Sequence, residues 1–307
     1  MGETKSVLVV CLNPTFQKTM VFKQVHENEV NRTSEYFLTP SGKGVNVARI
    51  LTQLHRPSVA LTHLGGNRKQ EFIDLCSDEQ IELGYFNVDI PIRTCTTVID
   101  RKNSTSTELV EEPCSVPLDA GDVAWNKFIE ILPDHDAVVI TGTRAKGYGD
   151  DLYPRMVSEA KKENKLVILD LKGADLMNSF PYHPDIAKPN LSELISTFDP
   201  GRVVLENEDT QDLYEAVSKI ASDIFLTYGI KLVISRGKFS TWAFDGTRLI
   251  ELPNRDVPVV NTIGCGDALT AGMTHKLLEG CSLAESVQFG MECAIKNSQS
   301  IKHGLYP

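Results

Sequence analysis

Short, unbroken apolar runs recur along the chain with helical stretches between them, and that alternation restricts the fold more than any single residue does. The runs are Val7–Leu12, Val59–Leu61, Ala137–Ile140, Leu166–Leu169 and Leu232–Ile234. Strands buried on both faces read as continuous apolar segments, whereas a strand with one wet face alternates. Between the runs lie Val45–Leu54, Phe72–Glu79, Leu152–Lys162, Leu213–Ile224, Asp267–Glu279 and Leu283–Gln299, in which apolar residues return every three or four positions. That spacing keeps them on one helical face. Strand and helix in repeated alternation predict an α/β fold with a doubly wound, mainly parallel sheet and helices on both faces.

Two stretches, about 13–40 and 87–113, depart from this rhythm. They hold β-favouring segments such as Thr19–Phe22, Ser34–Leu38, Arg93–Ile99 and Ser106–Val110 without helical spacing. A small sheet outside the main one and a pair of hairpins at its edge account for them equally well. No repeat or Ser/Gly-rich linker divides residues 1–307, so one domain carrying two insertions is expected.

Composition narrows the partners. With 31 Lys+Arg against 41 Asp+Glu the net charge is −10, and no concentrated basic block is present. Nucleic acid is therefore excluded as a general partner, and any anion must be held by a few placed groups. The apolar run at the N-terminus is too short for a secretion signal or a membrane anchor, so no membrane association is expected. Met1-Gly2 with Ser6 fits a short acylation pattern that matches often by chance. The 7 cysteines are odd in number and contain no C-x-x-C, which supports neither a disulfide framework nor a zinc site. A reducing, cytoplasmic location is the expectation.

Three motifs could carry chemistry, and each also has a plainer reading. Ser41-Gly42-Lys43-Gly44-Val45-Asn46 opens a helix with a cation between two glycines, which suits an anion but also suits an ordinary strand-to-helix turn. It is not a Walker A loop, because no Ser or Thr follows Lys43. Asn261-Thr262-Ile263-Gly264-Cys265-Gly266-Asp267 runs into an apolar helix. Converging amides there make a place for negative charge, and Asp267 could take a proton from a hydroxyl, yet Asp is also a common helix cap. Lys188-Pro189-Asn190 with Glu193 reads as a capping box, while the same amide and carboxylate could hold Mg²⁺ through water. His63, between an apolar strand and Gly65-Gly66, reads as a structural histidine.

Taken together, in order and spacing, these motifs resemble the ribokinase-like (PfkB) carbohydrate kinases over nearly the whole chain. Asn261–Asp267 is similar to the family's N-T-x-G-A-G-D signature, Lys188-Pro189-Asn190…Glu193 to K-P-N-x-x-E, and Ser41–Ala48 to G-G-x-G-x-N-x-A. Leu12-Asn13-Pro14, Val30-Asn31-Arg32, Lys43 and Thr107-Glu108…Glu111-Glu112-Pro113 look most like the 1-phosphofructokinase and tagatose-6-phosphate kinase branch, whose acceptor already bears a phosphate. The resemblance implies ATP and Mg²⁺ as co-substrates, a β lid made from the two irregular stretches, and a homodimer through that lid. It implies Asp267 as catalytic base, with the Gly264, Cys265 and Gly266 amides as anion hole. Arg32, Lys43 and Arg93 would hold the sugar phosphate, and Gly42, Asn46 and the residue at position 17 the sugar hydroxyls, with Thr143 below the sugar. Lys188, Asn190, Ser235, Gly237, Thr262 and Asn297 would meet ATP, and Asn190 and Glu193 the metal.

Three positions depart from the pattern. Gln17 stands where the family has Asp, Cys265 replaces the usual Ala, and the S-G-S-L-P turn has become Thr141-Gly142-Thr143-Arg144-Ala145-Lys146. A thiol at a helix N-terminus is expected to have a depressed pKa. Arg144 and Lys146 are two further cations for phosphate or solvent. Fructose 1-phosphate, or a related ketohexose phosphate such as tagatose 6-phosphate, is the expected acceptor. An unphosphorylated sugar or nucleoside, and a non-catalytic sensor of the same fold, are the alternatives that the neutral Gln17 suggests.

Overall fold

A computed structural model of the chain describes residues 4–199, 201–202, 204, 211–302 and 304. Met1 and Gly2 of the acylation pattern lie outside the described residues. The strands are β1 (Val7–Cys11), β2 (Thr15–Phe22), β3 (Tyr36–Ser41), β4 (Ser58–Leu64), β5 (Glu82–Asn87), β6 (Arg93–Asp100), β7 (Thr105–Val110), β8 (Ala137–Thr141), β9 (Leu166–Asp170), β10 (Ile186–Ala187), β11 (Lys231–Ile234), β12 (Thr241–Phe244) and β13 (Leu249–Leu252). The helices are α1 (Lys43–Gln53), α2 (Lys69–Asp78), α3 (Ala120–Ile131), α4 (Leu152–Lys162), α5 (Gly173–Ser179), α6 (Leu191–Phe198), α7 (Tyr214–Tyr228), α8 (Cys265–Leu278) and α9 (Leu283–Ser298).

Nine strands form one sheet in the order β13-β12-β11-β10-β9-β8-β1-β4-β5. It is parallel from β5 to β11, with β12 and β13 antiparallel at one edge. The unbroken apolar runs have a direct cause in this layering. On β1, Leu8 and Val10 enter one core with residues of α3, α4, α6 and α7, while Val7, Val9 and Cys11 enter another with α1, α2, α8 and α9. Alternate side chains point to opposite faces, and here both faces are dry.

Four further strands, β3-β2-β6-β7, make a separate sheet from the two stretches that lacked helical spacing. β2 and β6 pair in parallel although some seventy residues part them, so these strands are not two hairpins on the main sheet's edge. The helices α3 and α5 and the strands β5, β12 and β13 have no counterpart among the apolar runs and helical stretches of the sequence, whereas α6 begins at the capping box of Asn190 and Glu193. In α3 only Ala120, Ala124 and Phe128 are buried, so a single large apolar side chain marks its inner face. No described helix is long and apolar enough to cross a membrane.

α8 is buried along most of its length, against α1 on one side and α9 on the other. The α8–α9 contact is close because Gly290 has no side chain. A Cβ there would stand 2.5 Å from the Leu269 carbonyl oxygen and 3.1 Å from the Met273 nitrogen. Gly290→Ala is therefore expected to destabilise the chain by about 1–3 kcal/mol or more through overpacking. Gly121→Ala, on a helix surface where an added Cβ meets nothing within 4 Å, should be neutral or stabilising by up to about 1 kcal/mol. Urea unfolding of the two variants measures both, and equal midpoints would show that α9 can draw back at little cost.

Candidate active site

A cavity of about 240 Å³ opens at the carboxyl ends of the parallel strands. Cys11 and Asn13 line it from β1, Gly42 and Lys43 from the start of α1, Arg93 from β6, Thr141, Gly142 and Thr143 from β8, Asp170, Leu171 and Lys172 from β9, and Glu193 from α6. β1 pairs with β8 on one side and β4 on the other. Connections leave such a switch point in opposite directions, and the space between them suits a ligand.

Three cations, Lys43, Arg93 and Lys172, share this lining. Asp170 sits in its floor, with the Lys188 ammonium 3.2 Å and the Lys43 ammonium 3.8 Å from its carboxylate oxygens. Thr270 Oγ1 donates to Asp170 Oδ2 at 3.1 Å. Burial alone would raise the Asp170 pKa, but Lys188 and Lys43 outweigh it and hold the carboxyl below its ordinary range. The ionised Asp170 thereby gives the buried Lys188 side chain a partner that holds it in place.

Asp267 lies in the first turn of α8, where its Oδ2 accepts a hydrogen bond of 2.8 Å from Asn46 Nδ2. Burial pushes its pKa up to about 6 against the pull of Lys43; the Asp170 charge adds to the rise, and Asn46 and Lys188 oppose it. A carboxyl with that proton affinity can take up and release a proton near neutrality. It is not the helix cap. That place is held by Gly264 at φ 77, a left-handed conformation that a side chain would strain.

The Cys265 amide donates to the Thr262 carbonyl at 3.3 Å, and the amides of residues 264, 266 and 267 have no acceptor among the described residues. Unpaired amides at the start of a fourteen-residue helix form a cradle for an anion. Lys188 Nζ stands next to it, 3.8 Å from where a Cβ on Gly266 would be. Asn297 fastens the loop from behind. It is fully buried, donates to the Ile263 carbonyl at 2.7 Å and accepts from the Gly304 amide at 2.6 Å.

Of the residues expected to meet a ligand, Gly42, Lys43, Arg93, Thr143 and Glu193 line the cavity, and Lys188, Gly264, Gly266 and Asp267 join it through Asp170 and the cradle. Others stand elsewhere. Gln17 is buried in β2 and donates to Thr97 Oγ1 at 2.7 Å, inside the second sheet. Arg32 is exposed in the β2–β3 connection, beyond the end of the ladder that joins those strands. Asn46 faces Asp267 instead of the opening. Asn190 is engaged as the cap of α6, accepting from the Glu193 amide at 2.7 Å while its own amide donates to Glu193 Oε2 at 3.0 Å. Asn297 has no open side. Ser235, which bridges Asn190, and the exposed Gly237 and Thr262 lie outside the cavity lining.

The thiol expectation is also corrected, because burial raises the Cys265 pKa to about 11 despite the helix N-terminus. Arg144 is engaged by Asp150, by Asp175 at 3.0 Å and by the Tyr148 carbonyl, and it lies outside the cavity lining. Lys146 is exposed and lies outside the cavity lining. His63 is the expected structural histidine, bonded to Tyr148 Oη at 2.9 Å and pushed down by burial to a pKa of about 4. Asp170 and Lys172 escaped the sequence reading; their signal is position, at the carboxyl end of a buried strand.

Among the described residues no group of three or more acidic, histidine or cysteine side chains surrounds a metal position. Mg²⁺ does not need one, since it keeps several waters and takes one or two carboxylates beside phosphate oxygens. Glu193 fits that demand. The Asn190 amide oxygen, already accepting from Glu193 N, fits it less well.

The model of the pfkB family carbohydrate kinases matches residues 12–302. Among solved structures, phosphofructokinase-2 from Escherichia coli in complex with fructose-6-phosphate superposes with a TM-score of 0.83 at 22% identity, over 96% of this chain and 94% of that one. A possible 1-phosphofructokinase from Thermotoga maritima gives 0.84 at 21% identity, over 98% and 94%. Ribokinase from Thermotoga maritima gives 0.73 at 18% identity, over 98% and 95%.

Asp267 is expected to lower stability when ionised. Its pKa is raised by folding, so its contribution is favourable below the unfolded value of 3.8 and is lost as pH rises through about 6. Asp267→Asn should therefore stabilise the chain at pH 8 by up to about 3 kcal/mol, with the gain gone near pH 4. Thermal unfolding of both proteins across pH measures this; a variant less stable at pH 8 would show that the surrounding cations more than offset the burial.

Proposed function

The chain belongs to the pfkB family of carbohydrate kinases, and from that premise we propose that it transfers the terminal phosphoryl group of ATP to a sugar that already carries a phosphate. Fructose 1-phosphate, or a related ketohexose phosphate such as tagatose 6-phosphate, is the simplest acceptor. The observation that carries this reading is the convergence of Lys43, Arg93 and Lys172 on one small cavity whose Lys43 also faces Asp267. Three cations converging on one small cavity suit an acceptor that carries a negative charge better than a neutral sugar.

In the proposed reaction the acceptor hydroxyl oxygen forms a bond to the terminal phosphorus while the bond from that phosphorus to the ADP oxygen breaks. The hydroxyl proton passes to the Asp267 carboxylate, and ADP leaves with the electron pair. The unpaired amides of residues 264, 266 and 267 receive the negative charge that spreads over the transferred group, with Lys188 at their side. Bound Mg²⁺ would neutralise nucleotide phosphate charge, held by water and Glu193. Ser235, Gly237 and Thr262 remain the candidates for the rest of the nucleotide. A sensor of the same fold would have no use for a proton acceptor beside open amides.

The second sheet is read as a lid over the cavity, contributing Arg93 to its wall and excluding water that would hydrolyse ATP. Its face carrying Tyr36, Met20, Val98 and Leu109 leaves Tyr36 60% and Leu109 57% exposed. That exposure supports a second copy of the chain as its cover.

ADP release measured across a panel of sugars and sugar phosphates tests the reading. Turnover is expected with a ketohexose phosphate and not with the free sugars or nucleosides, and no turnover with any phosphorylated sugar would remove it. Lys172→Ala should raise KM for the sugar phosphate about tenfold or more while changing KM for ATP little; the reverse pattern would assign Lys172 to the nucleotide.

A further inference from the structure

A single guanidinium decides which way the amide beside Asp267 is turned. Arg49, on α1, is almost fully buried. Its Nη1 donates to Asn46 Oδ1 at 2.8 Å, its Nη2 to the Pro40 carbonyl, and its Nε to Glu79 at the end of α2. Lys302 donates to the other Glu79 oxygen at 2.8 Å. Ser41 Oγ also donates to Asn46 Oδ1, at 3.0 Å. A guanidinium carries donors only, so the atom it meets on Asn46 must be the oxygen. The amide nitrogen is then left facing Asp267. A hydroxyl could not impose this, because Ser41 can rotate and accept.

We propose that Arg49 is a positioning residue that locks the Asn46 amide with its N–H toward the Asp267 carboxylate. The inference rests on the reading of Asp267 as the base. With the amide turned the other way, two acceptors would face each other across 2.8 Å, and the contact could be kept only by a proton on Asp267. The lock therefore keeps the base free to accept. The other groups facing Asp267 are Lys43 from α1, Asp170 from β9, Lys188 after β10 and the thiols of Cys11 from β1 and Cys265 at the start of α8.

The test is a double-mutant cycle read through the pH dependence of kcat, with Asp267→Asn as reference. Arg49→Met should move the acid limb up by about one pH unit. It should lower kcat about fivefold at pH 6 while leaving it nearly unchanged at pH 9 and leaving KM for ATP unaltered. Asn46→Ala removes the amide, and in that background Arg49→Met should shift the limb no further. Equal shifts in both backgrounds, or no shift in a folded Arg49→Met protein, would overturn the proposal. Should Arg49→Met not fold, Arg49→Lys keeps the charge beside Glu79 with one ammonium to share and should shift the limb in the same direction; an unmoved limb there counts against the lock. An infrared titration of the Asp267 carboxyl, taken as the difference from Asp267→Asn, reads the same shift without turnover. If Asp267→Asn itself keeps full activity, the base assignment fails and the lock is judged on the infrared titration alone.

Discussion

The candidate site depends on one contact between parts of the chain that are 221 residues apart, the hydrogen bond from the Asn46 amide to the Asp267 carboxylate. It ties the start of α1 to the start of α8. Around it, burial and charge act in opposite senses on two carboxyls. Asp170 has two cations close to its oxygens and stays ionised, whereas Asp267 has an amide for its partner and binds its proton near neutrality. Two acids within one charged cluster thus acquire different chemistry from their immediate neighbours.

Much of the frame was readable because burial on both faces leaves a plain mark. Strands such as β1, with each side chain in one core or the other, appear as unbroken apolar runs. α4 appears at the limits its helical spacing predicts, because Leu152, Met156, Val157 and Ala160 are all buried along one side. Where that mark weakens the reading weakens with it. The short α5 depends on its surroundings more than on spacing, and β12 and β13 are only four residues each.

The site was legible in its motifs and opaque in its geometry. Local spacing placed Asp267 and Lys43 in loops that open helices, and both take part in the charged cluster. It could not show that Gln17 turns to Thr97 or that Asn297 holds the loop from beneath. Each of these outcomes is decided by a partner brought in by packing. Asp170 and Lys172 escaped notice for the converse reason, since nothing in Leu169-Asp170-Leu171-Lys172 differs from an ordinary strand end until β8 and β9 lie side by side.

The placement of the two halves of this contact has a consequence for synthesis. Lys43, Asp170 and the strands β1, β4 and β8 all precede α8 in the chain, so they leave the ribosome before it is made. Until α8 emerges, Asn46 has no carboxylate to meet and Lys188 no amide cradle beside it. The contact between Asn46 and Asp267 therefore forms only after the chain has been made into α8, long after both Lys43 and Asp170 have left the ribosome.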